Sequence, residues 1–335
     1  MILEHLNAGA FLDELRGAVA PERTGAVLLE LDAGTPAPEP ADAVPASLPL
    51  VVVGIMTDQA TGPPRGDAIA EHGWLRLCDV AVGSSDPALE RVLANLETHP
   101  ITATALALLL RGQPERSLDA GLVTESATYS VLQAGPEFAA WRAANPPRPP
   151  TDVERPRVRA ERDGATLTVT LTRPESLNAL DARMRDELTE ALAIAGADPS
   201  LRRVELRGEG RAFCAGGDLD EFGTRSDPAS AHVVRLQRSV GRTLARLRQE
   251  TVAYVHGACV GSGVELAAFC DRVVAAGDTN IALPEIGLGL VPGAGGTVSL
   301  TRRIGRLRTA WLAFSGCAID AGTAQSWGLA DSVES

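Results

Sequence analysis

From about residue 151 onward the chain alternates short strand-like runs with longer stretches of helical spacing, and no other feature restricts its fold as much. "RVRAERDGATLTVTLTRP" reads as a hairpin of two alternating strands with Asp163-Gly164 as the turn. Residues 181–198 place Met184, Leu188, Ala191 and Leu192 on one helical face. "RRVELRGEG" is again a strand, "AHVVRLQRSVGRTLARLRQ" is helical, and "ETVAYVHG" returns to strand. A strand-and-helix alternation of this kind folds as an α/β domain.

The upstream part has a different texture. "GTPAPEPADAVPASLP" (34–49) is a surface loop between two β-like runs, "GAVLLELDAG" and "LPLVVVGIM". Residues 87–112 and 117–143 read as two helices. "NPPRPPTDVERP" (145–156) is a stiff, polyproline-like linker and marks the main boundary.

A length of 335 residues admits one large α/β domain or two modest ones. A net charge of −12 argues against nucleic acid as a general partner. Every basic residue is Arg, so any fixed cation is a guanidinium. The five cysteines form no CxxC pair, which points to buried thiols in a reducing compartment and to no metal site. The N-terminus "MILEHLNAGAFLDEL" carries acids and no long apolar stretch, so no secretory signal is expected. No apolar run reaches membrane-spanning length, and the expectation is a cytoplasmic protein without a membrane partner.

Three glycine-rich turns follow strands or interrupt apolar runs: "RAFCAGGDLDEF" (211–222), "GSGVELAAFCD" (261–271) and "ALPEIGLGLVPGAGGT" (282–297). Glu265 and Glu285 stand in the second and third, each in an apolar setting where a carboxylate is costly unless held or used. The bland account of Glu265 is a capping box, Ser262-Gly-Val-Glu265. Likewise Asp218 caps a helix expected to start after "CAGG". A dinucleotide fingerprint would need glycine where Leu266 stands, and a nucleophile elbow glycines at Val260 and Val264. Glycine turns that expose backbone N–H groups, together with two carboxylates, suit acid–base chemistry on an oxyanion.

These motifs, with "RPESLNALDARMRDEL", together resemble the enoyl-CoA hydratase/isomerase (crotonase) family, in the family's order from about 157 to 335. The resemblance implies an α/β, crotonase-like spiral of ββα units that binds a coenzyme A thioester, with no cofactor beyond the coenzyme A of the substrate. It implies an oxyanion hole from the backbone N–H groups of Gly217 and Ser262, the latter standing where the family usually has glycine. Glu265 falls on the position of the base toward water and Glu285 on that of the acid toward C2. Asp218, Leu219 and Asp220, with Gly261, correspond to stretches that line the substrate. Arg173, Arg302, Arg303 and Arg306 are open candidates for coenzyme A phosphates. A homo-oligomer, trimer or hexamer, is implied as well.

One departure stands out. The family's closing helices should begin where this sequence reads "AQSWGLADSVES". Residues 74–112 and the following helix resemble those helices, and "LRLCDVAV" faintly repeats "WGLADSV". The expected organisation is therefore a degenerate α/β segment (1–73), a helical module resembling the family's tail (74–144), a linker (145–156) and the core (157–335). The N-terminal segment would supply the helices that normally follow the core. Both glutamates favour hydration of a 2-enoyl-CoA to a 3-hydroxyacyl-CoA. Double-bond isomerisation or other crotonase-type acyl-CoA chemistry, and a non-catalytic acyl-CoA-binding subunit, are the alternatives.

Overall fold

A computed structural model of the chain describes residues 3–16, 25–39, 41–57, 73–149, 155–224 and 227–334. The N-terminal half opens with strand β1 (Leu3–Leu6) and helix α1 (Ala8–Arg16), followed by β2 (Gly25–Leu31), β3 (Leu50–Met56) and β4 (Val80–Gly83). The four strands lie side by side in chain order, all parallel. β2 and β3 are apolar without alternation because both faces of this sheet are covered. Val51, Val53 and Ile55 join the main core, while Val52 and Met56 face a smaller cluster with Phe11, Trp74 and Leu307. The apolar run "LPLVVVGIM" is thus a central strand shared between two cores.

Four helices follow: α2 (Pro87–Thr98), α3 (Pro100–Arg111), α4 (Leu118–Gln133) and α5 (Pro136–Ala144). The two helices expected over 87–112 and 117–143 are each broken in two. Pro100 and Pro136 sit in the first turn of the downstream member, where a missing N–H is harmless, and each ends the helix before it. His99 supplies no cap to α3. The amides of Ile101 and Thr102 donate instead to the Glu137 carboxylate of α5, at 2.8 and 2.9 Å. The two helix pairs are thereby fastened together.

The second half begins with the hairpin β5 (Val158–Asp163) and β6 (Thr166–Leu171), antiparallel with Asp163 opposite Thr166. The turn is therefore Gly164-Ala165, one residue later than expected, with Gly164 taking the left-handed conformation at φ 54°. Next come α6 (Ala182–Ala197), capped by Asp181, and β7 (Arg203–Gly208). The helical stretch after it divides into α7 (Pro228–Gln237) and α8 (Val240–Leu244), because Ser239 caps the second. Then follow β8 (Glu250–Val255), β9 (Ala258–Val260), α9 (Ser262–Ala267), β10 (Arg272–Ala276) and β11 (Asn280–Ala282). The described chain closes with α10 (Gly296–Ile304), α11 (Arg306–Ser315), β12 (Ile319–Asp320), α12 (Ala321–Ser326) and β13 (Ser332–Glu334). A six-stranded sheet runs β13-β10-β8-β7-β6-β5, and a smaller one runs β12-β11-β9.

One joint recurs in both halves. Asp271, just before β10, accepts from the Thr251 N–H of the neighbouring strand at 2.8 Å, and Asp331, before β13, accepts from Val273 at 2.7 Å. Asp79, before β4, does the same to Val52 at 2.9 Å. The faint repeat of "LRLCDVAV" and "WGLADSV" is thus matched by the same hydrogen-bonded strand entry. The main apolar core runs without a break from Val53, Leu96 and Leu106 to Val169, Ala253 and Leu312. Residues 150–154, the middle of the expected linker, lie outside the described residues, as do 17–24 and 58–72 of the segment before it. Among the described residues no helix is long and apolar enough to cross a membrane.

Candidate active site

The turn into α9 starts at Gly261, whose φ of 50° and ψ of −123° suit glycine. Gly261 is the cap residue and Ser262 already belongs to the helix, so the capping-box account of Glu265 fails. The Glu265 side chain leaves its own helix. Its Oε2 accepts the N–H groups of Ala294 and Gly296, at 2.7 and 2.8 Å, at the start of α10. Close contact is possible because position 296 has no side chain: a Cβ there would lie 2.6 Å from Glu265 Cγ.

Glu285 enters from the 3-10 turn Glu285–Leu288 that follows β11. Its Oε2 is buried with no hydrogen-bond partner among the described residues. Its Oε1 lies against Gly261, where a Cβ would come within 2.6 Å of it. A third carboxylate arrives from the N-terminal half. Glu125 of α4 is 2% exposed, and its Oε1 accepts Gly295 N–H at 2.7 Å. Its Oε2 takes the Thr297 N–H at 2.8 Å and the Thr297 hydroxyl at 2.6 Å.

Electrostatically the three differ. Burial pushes Glu265 up to about 7, against the pull of the amides of Ala294, Gly296 and Gly293. Burial, followed by the charge of Glu265, pushes Glu125 up to about 8, with Thr297 and Gly295 opposing. Glu285 is raised well above the ordinary range by burial first, then by the charges of Glu265 and Glu125. Three carboxylates this close and this dry do not ionise together near neutrality. Burial thus favours the protonated form of all three carboxyls.

A cavity of about 390 Å³ joins these groups, with Gly217, Asp218 and Ser262 in the same wall. In the parallel bridge between Leu180 and Gly217, Leu180 donates to the Gly216 carbonyl and accepts from Asp218 N–H. The Gly217 N–H is therefore turned away from that strand. Ser262 is in the first turn of α9, where an N–H has no acceptor within the helix. The two glycine turns abut, since a Cβ on Gly261 would lie 3.5 Å from Gly216 Cα. Asp218 caps no helix. Its Oδ1 accepts from Asp220 N–H at 3.0 Å in a turn, and its Oδ2 pairs with Arg173 at 2.6 Å.

Leu219 and Asp220 stand outside the cavity wall. Leu219 is 47% exposed, and Asp220 pairs with Arg148 at 2.9 Å. Of the arginines, Arg173 is held by Asp218, Arg303 bonds the Cys270 and Leu329 carbonyls, and Arg306 bonds the Cys78 carbonyl. Those three are structural ties; Arg302 is exposed. Among the described residues no His, Cys, Asp and Glu cluster could hold a metal ion. Sequence reasoning missed Glu125, although it shares a helical face with buried Leu122 and Tyr129, which is the signal that singled out Glu265.

Comparison with known proteins places the chain. The family model described as "Enoyl-CoA hydratase/isomerase" matches residues 161–335. A probable enoyl-CoA hydratase of Mycobacterium bovis is 37% identical over 173 residues, which cover 52% of this chain and 66% of that protein. The 2,3-dehydroadipyl-CoA hydratase of Escherichia coli K12 is 37% identical over 172 residues, covering 51% of this chain and 67% of the relative. A solved enoyl-CoA hydratase from Thermoplasma volcanium aligns at 34% identity with a TM-score of 0.51, over 54% of this chain and 73% of that one. The chain thus spans just under two thirds of the mycobacterial relative. Its fold is that of these hydratases, a crotonase-type α/β spiral.

Proposed function

Because the chain belongs to the enoyl-CoA hydratase/isomerase family, we propose that it adds water to a 2-enoyl-CoA thioester and forms a 3-hydroxyacyl-CoA. The observation that carries this reading is the pair of buried carboxyls, Glu265 and Glu285, on one cavity, both raised by burial. The hydrogen bonds from Ala294 and Gly296 both fall on Oε2 of Glu265, and Oε1 is the oxygen proposed to take water. Water loses a proton to Glu265 as its oxygen bonds to C3. The electron pair of the double bond moves toward the thioester oxygen, which the N–H groups of Gly217 and Ser262 stabilise. Glu285 then delivers its proton to C2, and the two glutamates recover their starting states by exchange with solvent. The Gly217–Asp220 stretch and Gly261 are proposed contacts of the thioester and adenine arm. No cofactor is required, since coenzyme A arrives with the substrate, and the assembly proposed from the family is a trimer or hexamer.

A panel of 2-enoyl and 3-enoyl thioesters, assayed separately for water addition and for double-bond migration, tests the reading. Hydration should dominate, with kcat/KM rising through about pH 7 as Glu265 ionises. Glu265→Gln and Glu285→Gln should each lower kcat by about a hundred- to ten-thousand-fold with thioester binding retained. Migration without hydration, dependent on one glutamate only, would replace this reading with the isomerase.

A further inference from the structure

Four consecutive backbone amides at the head of α10 are shared alternately between two carboxylates from different halves of the chain. Ala294 and Gly296 donate to Glu265, and Gly295 and Thr297 donate to Glu125. The alternation requires successive N–H groups to point in diverging directions, which Gly295 permits at φ 107°. The positive end of α10 faces both acids. Neither acid can be moved without disturbing the strip that holds the other.

We propose that Glu125 is a positioning residue of the hydration site: it fixes the amide strip that aims Glu265, and its charge acts across the cavity on the Glu285 acid. The proposal rests on the hydratase reading above. Glu125 lines the same cavity as Glu265 and Glu285. The cation that faces it is Arg235 of α7, which has no carboxylate within ion-pair distance among the described residues. Arg235 donates instead to Ser126 and Ser130 and lies 4.6 Å over the Tyr129 ring. Tyr129 itself stays a neutral phenol, because burial raises it. The charge that Glu125 gains acts on Arg235 and, across the cavity, on Glu285. A second negative charge beside the cavity makes Glu285 harder to deprotonate. It keeps the C2 proton donor loaded at alkaline pH.

The test compares the full chain with Glu125→Gln, Glu125→Asp and Thr297→Val. Gln removes the charge and turns an N–H donor toward the strip. We expect kcat to fall about ten- to a hundred-fold, KM to change little, and the alkaline limb of the kcat profile to move down by on the order of one pH unit. Asp keeps the charge but has a shorter reach, so it should restore the alkaline limb while kcat stays low. Should the Gln variant fail to fold, Thr297→Val serves: it removes a donor that favours ionised Glu125, and the alkaline limb should shift the same way by less. The 13C NMR titration of glutamate-labelled protein, with Glu285 assigned through Glu285→Gln, reads that proton without turnover. A folded Glu125→Gln variant with an unmoved Glu285 titration overturns the proposal. Absence of hydration by the unsubstituted chain sinks the hydratase reading instead, and the NMR result then still decides the Glu125–Glu285 link.

Discussion

Glu285 concentrates the tension of the site in one group, since a buried oxygen without a donor is tolerated only while the carboxyl keeps its proton. In the unfolded chain a glutamate ionises near pH 4.5, whereas native Glu285 holds its proton well beyond that. Between those values the native state binds more protons than the unfolded state, so stability falls as pH rises. The loss is at most about 1.4 kcal/mol per pH unit. Glu285→Gln removes this group's share of the dependence and leaves those of Glu265 and Glu125. Its melting temperature should equal or exceed that of the unsubstituted protein at pH 8, with the advantage shrinking toward pH 5. A difference that does not change between these pH values would mean that Glu285 is not a buried, protonated acid. Glu265 and Glu285 were legible in the sequence because each puts a lone acid among glycines and apolar residues. Glu125 carries a similar mark on α4, but no glycine turn draws attention to it. Its donors come from residues 170 and 172 positions away, so its purpose appears only once the chain is folded.

At the level of elements, periodicity located the strands and helices, and local chemistry displaced their ends. Pro100 and Pro136 divided apolar stretches whose helical spacing runs on through the break. The hairpin turn slipped by one residue because Gly164, and not Asp163, takes the left-handed position. The N-terminal sheet depends on Asp79, which is 2% exposed, accepts from Val52 N–H and pairs with Arg111 at 2.6 Å. Asp79→Ala leaves the Arg111 charge without its counter-ion, held only by the carbonyls of Pro45, Leu48 and Leu50, and leaves the Val52 amide without its acceptor. The expected loss is about 3–5 kcal/mol in chemical denaturation. A change below about 1 kcal/mol would show that the joint is not holding this sheet.

Across the whole molecule, one apolar core and one cavity draw on both halves of the chain. α4 lies on α7 and on α10, and α2 and α3 pack against α11. A fragment of residues 151–335 therefore loses Glu125 and uncovers the apolar faces of α10 and α11, which invites aggregation. It should be inactive or insoluble, and residues 1–150 supplied in trans should restore some activity. A soluble, fully active 151–335 fragment would separate the halves functionally. The alternation after residue 151 was enough to read the α/β class. The four-stranded parallel sheet was less legible, since two of its strands, Leu3–Leu6 and Val80–Gly83, are only four residues long. Addition of water by the two glutamates is measured by turning over a 2-enoyl-CoA in 18O-labelled water and weighing the product. The expected product is a 3-hydroxyacyl-CoA carrying one 18O atom, formed by the full chain and nearly absent with Glu265→Gln. Recovery of unlabelled 3-enoyl-CoA, or equal labelling by the variant, would contradict it.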